Sequence, residues 1–150
     1  MLGADAIGVF ASDRPQGGFD SRALRPEARV LYTRLATAWR KQTGSREPTE
    51  EALAGFSAAW VLFHDVLPHA ATRNGSPVVP AVVTAARSLN LPLGALVNGA
   101  GVRFATGGSR LGQNLRASAI IWQWQGVRHS VVVWPREFAT GRITRVPLPR

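Results

Sequence analysis

The 150-residue chain has no cysteine, which excludes a disulfide framework, thiolate catalysis and every cysteine-based metal site. Its opening, "MLGADAIGVFAS", lacks both a basic start and an unbroken apolar core, so it does not read as an export leader. No stretch approaches the length of a membrane span either. Acidic residues are scarce, nine against eighteen basic ones, and Lys41 is the single lysine. Outside Glu50-Glu51 at a helix start, no paired carboxylates suggest general acid–base work, and Ser57 and Ser130 have no acid–base partners nearby in sequence. Nothing in these patterns asks for an enzyme, a cofactor or a metal.

The net charge of +9 would ordinarily raise nucleic acid as a partner. The arginines argue otherwise, because they occur singly from Arg14 to Arg150 with no run of three. Spread in this way, they read as a charged solvated surface. The length fits one typical domain, and a 45% hydrophobic content suffices for a core.

The elements can be placed by pattern. "ADAIGVFA" (4–11) reads as a buried strand of an α/β sheet, followed by a loop with Pro15 and Gly17-Gly18. After Pro26, an amphipathic helix carries Val30, Leu31, Leu35, Ala38 and Trp39 and stops at Gly44. Thr49 is a good N-cap for a second, long and deeply packed helix. It has Glu50 and Glu51 in its first turn, Leu53, Phe56, Trp60, Phe63 and Leu67 along one side, and its end near Pro68. Ser76 and Pro77 are expected to open a third helix that ends at Asn90 and Pro92. A brief strand at 101–104 then lies among glycine-rich loops.

The last feature is a hairpin turning at Gly126. With an even-length loop, Ile120, Trp122 and Trp124 would share a face with His129, Val131 and Val133. Ile121, Gln123, Val132 and Trp134 would share the other. Trp122 and Trp124, about 7 Å apart along a strand, could stack a planar ligand, but such cross-strand aromatics more often close a ribbon. The tail after Pro135 shows no periodicity. His64 and His69, five residues apart on a helix, do not fit the four-residue spacing of a helical metal site. "NGAGVRFATGG" lacks the third glycine of a dinucleotide fingerprint and leads into a strand rather than a helix.

The order of these segments resembles the carboxy-terminal part of the type I periplasmic solute-binding proteins, the branched-chain amino acid or amide receptors of ABC importers. The likeness runs over nearly the whole chain. Gly55-Phe56-Ser57-Ala58-Ala59 matches the opening of the family's long helix, Gly101-Val102-Arg103-Phe104 with Gly107-Gly108 its glycine-containing strand and turn, and Gln123-Trp124 its terminal hairpin. The resemblance implies part of a two-lobed, Rossmann-like α/β sandwich fold with a C-terminal β-hairpin. Residues 1–14 would be the last strand of the second lobe. Residues 15–113 would return to the first lobe with three helices and a short strand, and 114–150 would be the hairpin and tail of the second.

On this likeness the chain is incomplete, and the whole protein is extracytoplasmic, periplasmic or a cell-surface lipoprotein, with a leader that this stretch lacks. Its partners would be a small solute, an amino acid or amide, and an ABC permease, with no nucleic acid and no membrane span. Gly17-Gly18 and "GGSRLGQN" would be hinge crossings. The hairpin would lie away from the solute, making Trp122, Trp124 and Trp134 packing residues. Of the family's ligand contacts, only those at the start of the long helix reach this region, so Thr49 and Glu51 are the candidate ligand-binding residues. Helix capping is their plainer role. The competing expectation is a small stand-alone α/β module binding nucleic acid or a protein through its arginine-rich surface, which would show binding that falls steeply with salt.

Overall fold

The computed structural model describes residues 3–13, 21–44, 47–117, 119–127 and 129–145. In chain order its elements are strand β1 (Phe10–Asp13), helix α1 (Pro26–Thr43), helix α2 (Glu50–Trp60), the two-residue strands β2 (Thr72–Arg73) and β3 (Ser76–Pro77), helix α3 (Val79–Ser88), and strands β4 (Ile120–Gly126) and β5 (His129–Trp134). The described chain is therefore mixed α/β, with three α-helices and two small antiparallel sheets, one ordered β1-β4-β5 and one β2-β3.

The first strand differs from the expected 4–11. Residues Gly3–Ala6 form a 3-10 turn, and Gly8, at φ 95°, redirects the chain. Pairing with β4 starts there: the Gly8 N–H donates to Trp124 O at 2.7 Å and the Trp124 N–H to Val9 O at 3.0 Å. In β1, Phe10 faces Gln123 and Asp13 faces Ile120. The strand is an edge, not buried, and Val9 and Phe10 are each about half exposed.

Helix α1 begins with Pro26, whose missing N–H costs nothing at the first turn. It ends where Gly44 takes the left-handed conformation and donates its N–H to Arg40 O. Ala28 and Ala36 are its buried residues, while Val30, expected on the apolar face, is 54% exposed.

Helix α2 stops at Trp60. The chain continues as a π-helical segment, Val61–Val66, closed by the Leu67 N–H donating to Leu62 O, and then a 3-10 turn at Leu67–His69. The wider coil rotates later side chains off the expected stripe. Leu53 is fully buried, yet Phe63 is 68% exposed, and Val66 takes the inward position instead.

Ser76 and Pro77 do not open α3. They form β3, joined to β2 by Asn74 and Gly75, both at positive φ as a two-residue hairpin turn requires. Val78 is the N-cap of α3, which ends at Ser88. The expected strand at 101–104 is reduced to two isolated bridges, Leu91 with Val102 and Phe104 with Asn114. Asn114 is the reason: its side chain accepts from the Arg103 and Arg116 N–H groups and donates to Gly101 O at 2.8 Å, replacing part of a regular ladder. The "GGSRLGQN" segment folds back onto this stretch, with the Gly112 N–H donating to Ala105 O and the Ala105 N–H to Gln113 O. The Gly17-Gly18 loop lies outside the described residues.

The hairpin register departs from a single parity. Trp122 faces Val132, Gln123 faces Val131 and Trp124 faces Ser130, whereas Ile121 faces Trp134 and Gly126 faces His129. A bulge on each strand, one extra residue at Gln125 and one at Val133, shifts the pairing and then restores it. Val132 therefore shares a face with Ile120 and Trp122, and Val131 with Gln123.

The first of these faces packs on Leu24, Ala28 and Phe138, with Tyr32 and Leu93 at the edge. Each large apolar side chain buried here contributes about 1.5–3 kcal/mol. The other face is covered by the tail. Thr140 bonds both the N–H and the C=O of Val132, Gly141 lies over Val131, and Thr144 exchanges two 2.8 Å bonds with the Gln123 amide. Two further small clusters hold the helical part: Val66, Ala70 and Ala85 between the π segment and α3, and Leu96, Ala100 and Val102 beneath Val61 and Leu89.

Candidate functional site

Thr49 sits in extended conformation before α2, and its hydroxyl accepts the Ala52 N–H at 3.3 Å. That is the bond of an N-cap, which satisfies one of the free amides at a helix start. Glu51 is exposed in the first turn, where its charge opposes the positive helix end. Thr49 and Glu51 share this helix start, and neither lines the cavity beside α2.

That cavity, of about 630 Å3, opens between α1, the π segment and the 91–96 turn. Its floor is apolar, made by Ala28, Leu31, Leu91, Pro92 and Leu96, and polar groups stand at its mouth: Arg25, Glu27 and Arg34 from the α1 side, His64 and Asp65 from the π segment. The sequence builds these walls by local means. Arg25 precedes the proline that starts α1 and donates its N–H to Gly94 O at 2.9 Å, fastening the helix start to the turn. Gly94 has φ 79°, and a Cβ there would lie 2.9 Å from Ala23 O, so glycine permits this approach.

Along α2 and the π segment, three rings stack. Phe56 and Trp60 are 5.9 Å apart between centroids, Trp60 and His64 4.5 Å, each pair inclined by 19°. Trp60 and His64 line the cavity. Asp65 Oδ1 lies 2.9 Å from His64 Nδ1 and fixes that ring's orientation, and the Asp65 carbonyl oxygen lies 3.1 Å from His69 Nδ1. The two histidines thus share Asp65 as a partner at different atoms. Among the described residues no group of three or more His, Asp or Glu is placed to hold a metal.

Sequence reasoning did not find this cavity, because its walls come from three segments between residues 25 and 96. In sequence, Phe56 and Trp60 read as part of the helix's apolar side, and His64 only as a rejected metal ligand.

The tryptophans divide. Trp122 joins the cluster around Phe138, and its ring lies 5.6 Å from that of Trp124, tilted by 41°. Trp122 Nε1 is buried without a hydrogen-bond partner among the described residues. Trp134, expected to pack, is 54% exposed. It pairs with Ile121 beyond the bulge, at the outer end of the hairpin, before a cis Trp134–Pro135 bond.

Among the described residues Tyr32 has a strongly perturbed titration. Its hydroxyl, pushed up to about 12 from 10.0, is held neutral first by burial and then by its 3.0 Å hydrogen bond to the Glu47 carboxylate and that group's charge. No helix among the described residues is long and apolar enough to cross a membrane.

Protein-family models give no match to this chain, and no curated protein matches it significantly.

Proposed function

We propose that this chain is part of a two-lobed solute-binding protein, a non-enzymatic receptor that captures a small molecule between lobes. More particularly, we read it as the C-terminal part of an extracytoplasmic receptor that delivers an amino acid or amide, such as a branched-chain amino acid, to an ABC permease. One observation carries the reading. The first strand and the terminal hairpin share one sheet, β1-β4-β5, with residues 21–117 inserted between them in sequence; of that insertion Ala23, Leu24, Ala28, Tyr32 and Leu93 pack back on the sheet. A chain that crosses from one lobe to another and back has this arrangement, and hinge-type receptors close over a ligand at such crossings. The motif order across the chain supports it from the side of sequence.

In this reading Thr49 and Glu51 contribute the start of the long helix at the edge of the solute cleft, beside their capping role. Of the hairpin tryptophans, Trp122 is structural, packed against the Phe138 cluster, whereas Trp134 is exposed.

The test is to read the DNA upstream of the Met1 codon, express the longest in-frame product and titrate it with leucine, isoleucine, valine and their amides by calorimetry. A frame continuing upstream through a leader and an α/β lobe, and saturable binding of one of these solutes, are expected. A stop codon and ribosome-binding site immediately before Met1 would overturn the proposal.

A further inference from the structure

The cavity between α1, the π segment and the 91–96 turn has a chemistry that the receptor reading does not use. From its apolar floor, ring ladder and free cation we infer that it is a binding site for a small aromatic carboxylate, a flat ring bearing a single anionic group.

Size comes first. A cavity of about 630 Å3 lies within the roughly 300–1,000 Å3 of small-molecule sites, which pair mostly apolar walls with a few placed polar groups. The floor of Leu31, Leu91, Pro92 and Leu96 meets that description.

The flat body of the ligand is specified by the ladder. Phe56, Trp60 and His64 are stacked in sequence, and the last two enter the cavity. The His64 side chain lines the cavity and is 60% exposed, which leaves surface on it for a further ring. Asp65, its neighbour in sequence and itself only 19% exposed, holds the imidazole by the 2.9 Å bond, which keeps the stacking face from turning away. Offset stacking at these distances favours an aromatic over an aliphatic body of equal size. The π segment that presents His64 and Asp65 is a second mark, since π-helical turns are rare and are frequent at functional sites.

The anionic group is specified by Arg34. It lines the mouth from α1, and the residues one turn away on that helix, Val30, Leu31, Thr37 and Ala38, include no carboxylate. Glu27 lies two turns back, about 10 Å along the axis, next to Arg25. Asp65 is engaged by His64. Arg34 has no hydrogen bond or ion pair among the described residues, and its planar fork suits a carboxylate bidentately.

The experiment is an NMR titration of the labelled chain with sodium benzoate, with benzyl alcohol and cyclohexanecarboxylate as controls, on the native chain and on Arg34→Gln and His64→Ala. Both substituted side chains are exposed, and His64→Ala removes the last ring of the ladder while the Phe56–Trp60 pair is kept. Saturable shifts of the Trp60 indole and the His64 ring with a Kd of about 1 mM or tighter are expected. Binding should weaken about tenfold with benzyl alcohol and with Arg34→Gln, and by a similar factor with cyclohexanecarboxylate and with His64→Ala. Absence of shifts at Trp60 and His64, or equal binding of all three probes, or affinity unchanged in both variants, would overturn the assignment. The solute-receptor proposal is untouched by any of these outcomes, because its cleft lies elsewhere.

Discussion

In the sheet region, Phe10 faces Gln123, and Leu24 shares a cluster with Phe138, partners more than a hundred residues apart. In the helical region, Val66, Ala70 and Ala85 pack within twenty residues of one another, and Leu96, Ala100 and Val102 within seven. The side chains differ as well. The sheet cluster contains Phe138, Leu24 and Ile120, whereas the helical clusters are dominated by alanine and valine with Leu96. Reach and size go together here: closing a long loop costs entropy, and the contact that closes it must bury enough apolar surface to offset that cost. The helical region needs less from each contact, because its turns and caps already hold it locally.

The comparison is broken most directly at Phe138. It is 1% exposed and joins the tail, β5 and the segment before α1. Phe138→Ala should cost about 4 kcal/mol, measured by urea denaturation. The loss should appear first as increased amide exchange in β1, β4 and β5, with α2 and α3 affected later. Uniform loss of protection across both regions would show that they are one cooperative unit.

Gly101 sharpens the comparison inside the helical region. A Cβ there would lie 2.5 Å from Leu91 O and 2.7 Å from the Pro92 carbonyl, both rigid backbone. Gly101→Ala should cost about 2 kcal/mol by overpacking, measured the same way, and should loosen the Asn114 hydrogen bonds while leaving the hairpin register intact.

Thr49→Ala tests a purely local contact. Losing the bond to the Ala52 N–H should cost about 1 kcal/mol, read as a lowered melting temperature.

The smallest effect belongs to Tyr32, which stands at the rim of the sheet cluster and bonds Glu47, the residue that precedes Pro48 and Thr49. Its folded pKa of about 12 lies above the ordinary 10.0, so the folded state holds this proton more tightly than the unfolded chain. The resulting stabilisation is fully present below pH 10 and is lost as the pH rises from 10 through 12. Because the chain has a single tyrosine, ultraviolet tyrosinate absorbance follows it directly, with an expected midpoint near 12. Tyr32→Phe should remove this part of the alkaline loss, and a midpoint near 10 would refute the burial of the hydroxyl.

The same contrast explains what was legible before the structure. In the helical region, Pro26, Gly44 and Thr49 mark helix ends, and the structure places those ends there, because a proline ring, a left-handed glycine and a capping hydroxyl act within one turn. The exceptions were local too. Asn74-Gly75 is a strong hairpin signal, and reading Ser76 as a cap passed over it. In the sheet region the signals did not suffice: two bulges set the register, and a tail without periodicity proved to carry Phe138, one of the most buried side chains in the chain.

By itself, then, the sequence determined the mixed α/β class, both ends of α1, the start of α2 and the place of α3 to within a few residues, and a hairpin turning near Gly126. These follow from the 3.6- and 2-residue periods and from residues that fix their own backbone torsions. Only the tertiary structure decided what covers each face of the hairpin, that the first strand is an exposed edge, that α2 widens after Trp60, and that a cavity opens between α1, the π segment and the 91–96 turn. Each of these depends on contacts between distant segments, whose energies no local pattern records.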